Sequence, residues 1–144
     1  MTKLIKFNTI DELMKSLSSQ ISNDLKESLK FNKLVNFAVS GGASPSELYD
    51  YLCDENIDWS RVTVFLSDER YLPETNSRSN ANMIKKHLIQ KKASKSKFVS
   101  FYNENMTADE FVNENEYLMH DLLPINVSIL GMGEDMHTAS LFPD

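Results

Sequence analysis

Three short segments hold side chains able to move protons or bind anions. In Gly131-Met132-Gly133-Glu134-Asp135-Met136-His137-Thr138, a histidine follows a glycine-bearing loop. An imidazole that titrates near neutrality can take a proton from water and later return it. Asp135 is close enough in sequence to fix the tautomer of His137, and the glycines expose N–H groups that could stabilise an oxyanion. A lone histidine also often has a purely structural role, so both readings stand at this point. The second segment, Asp68-Glu69-Arg70-Tyr71, joins two carboxylates to a guanidinium. Arg70 could grip a phosphate through two donors, with Asp68 or Glu69 holding it or accepting from sugar hydroxyls. A surface ion pair that closes a loop is the plainer alternative. The third, Ser40-Gly41-Gly42-Ala43-Ser44-Pro45-Ser46-Glu47, reads as a strand-to-helix turn. Gly41 and Gly42 permit positive φ and close approach of a ligand to the backbone. Ser44 suits an N-cap, Pro45 the first helical position, and Glu47 completes a capping box. Such a turn offers N–H groups and a helix dipole to an anion, or is simply well made. It is not a Walker A loop, because the spacing and the lysine are missing.

Other reactive residue types read as structural. His87 and His120 fall within helical patterns, and Cys53 follows Leu52 on a helix as a small core or boundary residue. The histidines are far apart and lack HExxH spacing or a cysteine pair, so no metal set is apparent. Lys85, Lys86, Lys91, Lys92, Lys95 and Lys97 form a basic run, read as a solvated helix end and loop, with a phosphate or partner patch as the alternative.

The elements that must position these groups alternate between β and α signals. Ile10, Leu13, Met14, Leu17, Ile21, Leu25 and Leu29 recur at helical spacing, which predicts a helix over 9–30 with Thr9 and Glu12 as its capping box. Residues 34–39 read as a buried strand, followed by a helix carrying Leu48, Tyr49 and Leu52. Residues 62–66 are a second strand, and Ala81, Met83, Ile84, His87 and Leu88 mark a third helix. Residues 97–102 form a third strand, Phe111, Tyr117, Leu118 and Leu122 a fourth helix, and 125–130 a fourth strand. Strands separated by helices imply right-handed βαβ units: an α/β fold with a mostly parallel sheet and helices on both faces, doubly wound. Ligands of such sheets bind beyond the carboxyl ends of the strands, and all three polar segments leave that edge.

Composition narrows the partners. The 144 residues suit one domain, 1–144, and 41% hydrophobic content is ordinary for a globular chain. With a formal net charge of -6, a phosphate-bearing partner must be held by local positive potential, and a dedicated nucleic-acid binder is disfavoured. One cysteine allows no internal disulfide. The start, MTKLIKFNTIDEL, lacks a continuous apolar run and a cleavage signature, and no stretch approaches a membrane span. The cytoplasm is the expected compartment.

Taken in order, the motifs resemble a known family. FAVSGGASPSELYDYL looks like its strand, GG-x-[ST]-P turn and helix; VTVFLSDERYLPETNSRSN like its D-E-R-Y segment and the later S-N that opens a helix; ILGMGEDMHTASLFP like its L-G-M-G-x-D-G-H-T-A-S-L-F-P. The family is 6-phosphogluconolactonase, within the wider group that includes glucosamine-6-phosphate deaminases. Deaminases usually carry D-E-Y at Asp68-Glu69-Arg70 and an H-I-A-F-N-E-P-like run at His137–Pro143, so both differences point to the lactonase. The resemblance implies hydrolysis of 6-phospho-D-glucono-1,5-lactone in the oxidative pentose phosphate pathway, without a cofactor. It implies His137 as general base and acid, Asp135 as its orienting partner, and Gly41, Gly42, Ser44, Asp68 and Arg70 around the substrate and its phosphate. Amino-sugar-phosphate deamination and sugar-phosphate binding without turnover are the alternatives. Two departures carry expectations. Met136 stands where the family has glycine, which strains the loop if the position needs positive φ. The sequence also resembles the N-terminal two-thirds of such a domain, so exposed apolar surface is expected, with self-association or a complementing C-terminal segment as its partner.

Overall fold

A computed structural model describes residues 3–143. Four strands, β1 (Val35–Val39), β2 (Val62–Leu66), β3 (Lys97–Val99) and β4 (Val127–Ser128), form one parallel sheet in the order β3-β2-β1-β4. Among the described residues five α-helices accompany them: α1 (Ile10–Phe31), α2 (Ser46–Leu52), α3 (Asn80–His87), α4 (Ala108–Glu114) and α5 (Glu116–Asp121). The expected α/β architecture is therefore present.

Alternation along the two central strands fills two layers. Phe37, Val39, Val64 and Leu66 face one side, where they pack with Leu25 of α1, Leu48 and Leu52 of α2 and Ile84 of α3. Ala38 and Phe65 face the other, where Val99 and Leu122 join them and Leu118 of α5 covers them. Burying each large apolar side chain contributes about 1.5–3 kcal/mol, and the first layer holds most of them. Trp59, 1% exposed, closes its base and donates Nε1–H to the Glu55 carbonyl at 3.2 Å. Arg61 ties α1 to the start of β2: its guanidinium donates to the carbonyls of Leu29, Asn32 and Lys33 at 2.9, 2.7 and 2.9 Å. These are carbonyls at the helix end, which carry partial negative charge.

Several local expectations shift. Thr9 caps α1, accepting from the Glu12 N–H at 3.2 Å. Ser44 does not cap α2: Pro45 is the cap residue, no side chain bonds the first turn, and the Ser46 hydroxyl instead donates to the Ala43 carbonyl at 2.7 Å. The predicted fourth helix is two. Asn115 (φ -117°, ψ 18°) interrupts it as the cap between the two, with both its backbone N–H and its side-chain amide donating to the Phe111 carbonyl at 3.0 Å. A full capping box opens α4, between Thr107 and Glu110. The fourth strand is shorter than predicted, because among the described residues it pairs only with β1. The expected exposed apolar surface lies around it: Ile125, Leu130, Met132, Leu141 and Phe142 are all exposed.

Candidate active site at the carboxyl edge of the sheet

The strand order fixes where a cleft can form. From β1 the chain steps to β2 and β3, then crosses back to place β4 on the other side of β1. The loops after β1 and β4 therefore diverge and leave a crevice between them. A cleft of about 410 Å³ occupies that place. Gly41, Gly42 and Ser44 line it from the β1 turn, Asp68 and Arg70 from the β2 loop, and Gly131, Gly133 and His137 from the β4 loop. Met14 and Leu17 of α1 give it an apolar wall. Of the predicted site residues, all but Asp135 line the cleft, and Asp135 is bonded to one that does.

The β1 turn is braced from the core. Tyr49, fully buried, donates its hydroxyl to the Ser40 carbonyl at 2.8 Å, and burial pushes its phenol up to about 12, so it stays a donor at ordinary pH. Gly42 has φ of 90°, the conformation its lack of a side chain permits. Gly41 answers a different need: a Cβ there would overlap the buried side chain of Asn80.

The β2 loop departs from the sequence reading. Neither carboxylate holds the Arg70 guanidinium. Glu69 instead spends both oxygens on the start of α3. It accepts from the Asn80 N–H at 2.8 Å, the Ala81 N–H at 2.7 Å, the Ser79 hydroxyl at 3.1 Å and the Arg70 N–H at 2.7 Å. A carboxylate is well placed there, facing free N–H groups at the positive end of a helix. Ser79, as expected of the S-N pair, caps the helix, accepting from the Asn82 N–H at 3.3 Å. Asp68 accepts from Ser67 at 3.3 Å and from Ser140 of the β4 loop at 2.9 Å. The Arg70 guanidinium rests on neutral oxygens: it donates Nη1–H to Asn80 Oδ1 at 2.6 Å and to the Arg78 carbonyl at 3.2 Å. It makes no salt bridge among the described residues, so its charge faces the cleft uncancelled.

The β4 loop closes on itself. The Gly133 N–H donates to the His137 carbonyl at 2.9 Å, and the Met136 N–H to the Gly133 carbonyl at 2.9 Å. Met136 sits at φ 66°, so the position does need the left-handed conformation. His137 Nδ1 lies 2.5 Å from Asp135 Oδ1, which also accepts the His137 N–H at 3.2 Å. That side-chain hydrogen bond, helped by the backbone one, holds the Asp135 carboxyl below its usual range. An ionised Asp135 accepts Nδ1–H, which leaves Nε2 as the basic nitrogen. The ring stacks on Phe142 at 4.9 Å between centroids. Gly133 is small because a Cβ there would strike the His137 ring. Thr138 and Leu141 then pair across a tight turn, at 3.2 and 3.0 Å, whose Ser140 reaches Asp68.

The family model for glucosamine-6-phosphate isomerases/6-phosphogluconolactonase matches residues 8–144. The chain belongs to this family. It is 39% identical over 134 residues to a 6-phosphogluconolactonase of Pseudomonas aeruginosa, covering 92% of this chain and 56% of that protein. The crystal structure of a 6-phosphogluconolactonase from Shewanella baltica superposes with a TM-score of 0.90 at 35% identity, covering 95% of this chain and 59% of that one. A monomeric glucosamine-6-phosphate deaminase shares the fold alone, with a TM-score of 0.78 at 18% identity over 95% of this chain and 58% of the other. The chain thus spans somewhat over half the length of the relatives it matches.

The other candidate reactive residues lie outside the cleft. His87 pairs with Asp50 at 2.9 Å between α3 and α2, and His120 is exposed on α5. Cys53 is buried and burial pushes its thiol up, as suits a core residue rather than a nucleophile. In the basic run, Lys85 bonds Glu74, while Lys91 and Lys92 lie 3.7 and 3.6 Å from Asp54; none of the six lines the cleft. No described helix is long and apolar enough to cross a membrane.

Proposed function

We propose that this chain hydrolyses 6-phospho-D-glucono-1,5-lactone to 6-phosphogluconate. The observation that carries the proposal is the cleft's division: an uncancelled guanidinium and a glycine turn on one side, and an imidazole oriented by a carboxylate on the other. The names of the relatives support the same reading.

In this mechanism Arg70, with N–H groups of the Gly41–Ser44 turn, holds the phosphate. Nε2 of His137 takes a proton from a water, whose oxygen attacks the lactone carbonyl carbon. The carbonyl π electrons move to the oxygen, and the N–H groups of Gly131 and Met132 stabilise the oxyanion. Collapse re-forms the carbonyl and breaks the bond to the ring oxygen, which receives the proton from His137. The ring opens to the hydroxy acid, which ionises in water. Asp135 steadies the imidazolium in between, and Asp68 orients the His137 loop through Ser140. General acid–base assistance of this kind contributes about 10²–10⁴-fold. A lactone already has an oxygen leaving group, so the chemistry asks for no more.

The shared fold does not separate lactonase from deaminase, but Arg70 and the run His137-Thr138-Ala139-Ser140-Leu141-Phe142 favour the lactonase. Sugar-phosphate binding without turnover is the second reading, favoured by the left-handed Met136 directly before the histidine. Incubation with freshly prepared lactone, corrected for spontaneous opening, and separately with glucosamine 6-phosphate separates all three. Accelerated lactone opening without ammonia release supports the proposal. Ammonia release would replace it with the deaminase. Binding of 6-phosphogluconate with no acceleration would leave the binding reading.

A further inference from the structure

Asn80 occupies a place that neither a helix start nor a surface loop requires. It is the first residue of α3, yet only 2% exposed. Its side-chain amide is satisfied at both ends. Oδ1 accepts from Arg70 Nη1 at 2.6 Å, and Nδ2 donates to the Asp68 carbonyl at 3.0 Å. Only this orientation of the amide matches a donor to an acceptor on each side. Its backbone N–H is held by Glu69, so the side chain cannot move without disturbing the helix start. On its remaining side it fills the space that a Cβ at Gly41 would need. One buried amide therefore touches both the Gly41 turn and the Arg70 guanidinium.

The chemistry of that choice is specific. An arginine meant to hold an anion must be fixed in place without being neutralised. A carboxylate would fix it and cancel its charge; an amide oxygen fixes it and leaves the charge for the ligand. The nearest carboxylate in sequence, Glu69, is kept off Arg70's side chain by its bonds to α3.

We propose that Asn80 is a positioning residue for anion binding, setting the Arg70 guanidinium against the Gly41–Gly42 turn. The proposal rests on the reading of Arg70 as the phosphate holder. It acts through Arg70 and does not itself touch the ligand. Losing a hydrogen bond to a charged group lowers affinity by about tenfold or more.

The test is an NMR titration of the chain, which reads millimolar affinities, with 6-phosphogluconate and with unphosphorylated gluconate. The variants are Asn80→Ala, Asn80→Asp, Arg70→Ala and the double variant Arg70→Ala/Asn80→Ala. Asn80→Ala weakens 6-phosphogluconate about tenfold, leaves gluconate unchanged, and adds less than about twofold in the Arg70→Ala background. Asn80→Asp, of the same size and able to fold where alanine leaves a gap, also weakens only the phosphorylated ligand, because it neutralises Arg70. Equal losses for both ligands, losses that multiply in the double variant, or native affinity in both Asn80 variants would overturn the proposal while Arg70 still mattered. Native 6-phosphogluconate affinity in Arg70→Ala would instead remove the reading beneath it.

Discussion

The two sides of the cleft are built on different principles. The side with Gly41, Gly42 and Arg70 is braced from the interior: Tyr49 and Asn80, both buried, hold its backbone and its guanidinium. The side with His137 is braced by itself. Its hydrogen bonds run between residues 133 and 141, its Asp135–His137 pair is exposed, and its side-chain tie to the rest of the sheet edge is Ser140 to Asp68. The difference follows from the sheet. Central β1 and β2 are buried on both faces, whereas β4 pairs on one edge. On the proposed roles, the phosphate-holding side is braced by the core, while the proton-transfer side relies on short-range closure, which is how segments of low local stability are built.

Substitutions can break that contrast in graded steps. The largest effect falls on the self-braced side: His137→Ala lowers lactone turnover by about 10²–10⁴-fold, measured against spontaneous opening. The same glycine-to-alanine change then has different consequences on each side. At Gly133 the new Cβ pushes the imidazole off Asp135, and misplacing a catalytic group by an ångström costs about 10²-fold in rate with little change in melting temperature. At Gly41 it strikes Asn80 in the packed interior, so overpacking costs about 1–3 kcal/mol of stability, read by denaturant unfolding. Met136→Gly should act in the opposite direction. It relieves the left-handed strain at a side chain 71% exposed, for a gain of about 1 kcal/mol in loop stability, visible as slower amide exchange at residues 133–138.

Acid provides a softer probe. Asp135 has its carboxyl held below the usual range in the folded loop. Its contribution is therefore complete above the carboxylate's unfolded value and is lost as pH falls through the folded one. The protection factors of the His137 loop amides, corrected for the intrinsic slowing of exchange in acid, should fall as the pH drops across that window, and Asp135→Asn should flatten the dependence. The smallest effect is expected from Ser140→Ala, which removes a single exposed hydrogen bond to Asp68 and costs about 0.5–1.5 kcal/mol of loop docking. Faster exchange at residues 138–141, with the Arg70 side unchanged, would mark it.

Legibility in the sequence followed the same divide. The run 62–66, apolar but for Thr63, is β2 residue for residue, because a strand buried on both faces is largely apolar and bounded by polar segments. The reading of 125–130 is longer than β4, since apolar content does not reveal that, among the described residues, the strand has one partner. The convergence of the three polar segments was legible from topology alone. The inner wiring was not. Asp68-Glu69-Arg70 suggested carboxylates gripping the arginine, but Glu69 turns to a helix that begins eleven residues on, and the grip comes from Asn80. The S-N pair marked the helix start correctly; nothing in its spacing says that its amide reaches back to Arg70. Ser44 had the type and spacing of a cap, yet α2 starts two residues later. The loop after β4 was the reverse case: Asp135, Met136 and His137 are so near in sequence that their geometry is nearly local.

The most direct test measures lactone turnover and 6-phosphogluconate affinity side by side in His137→Ala and Arg70→Ala. A rigid binding side and a self-braced proton-transfer side predict separable losses: His137→Ala loses turnover and keeps affinity, whereas Arg70→Ala loses affinity for the phosphorylated ligand. Near-native turnover in His137→Ala, or equal loss of both properties in both variants, would contradict the account.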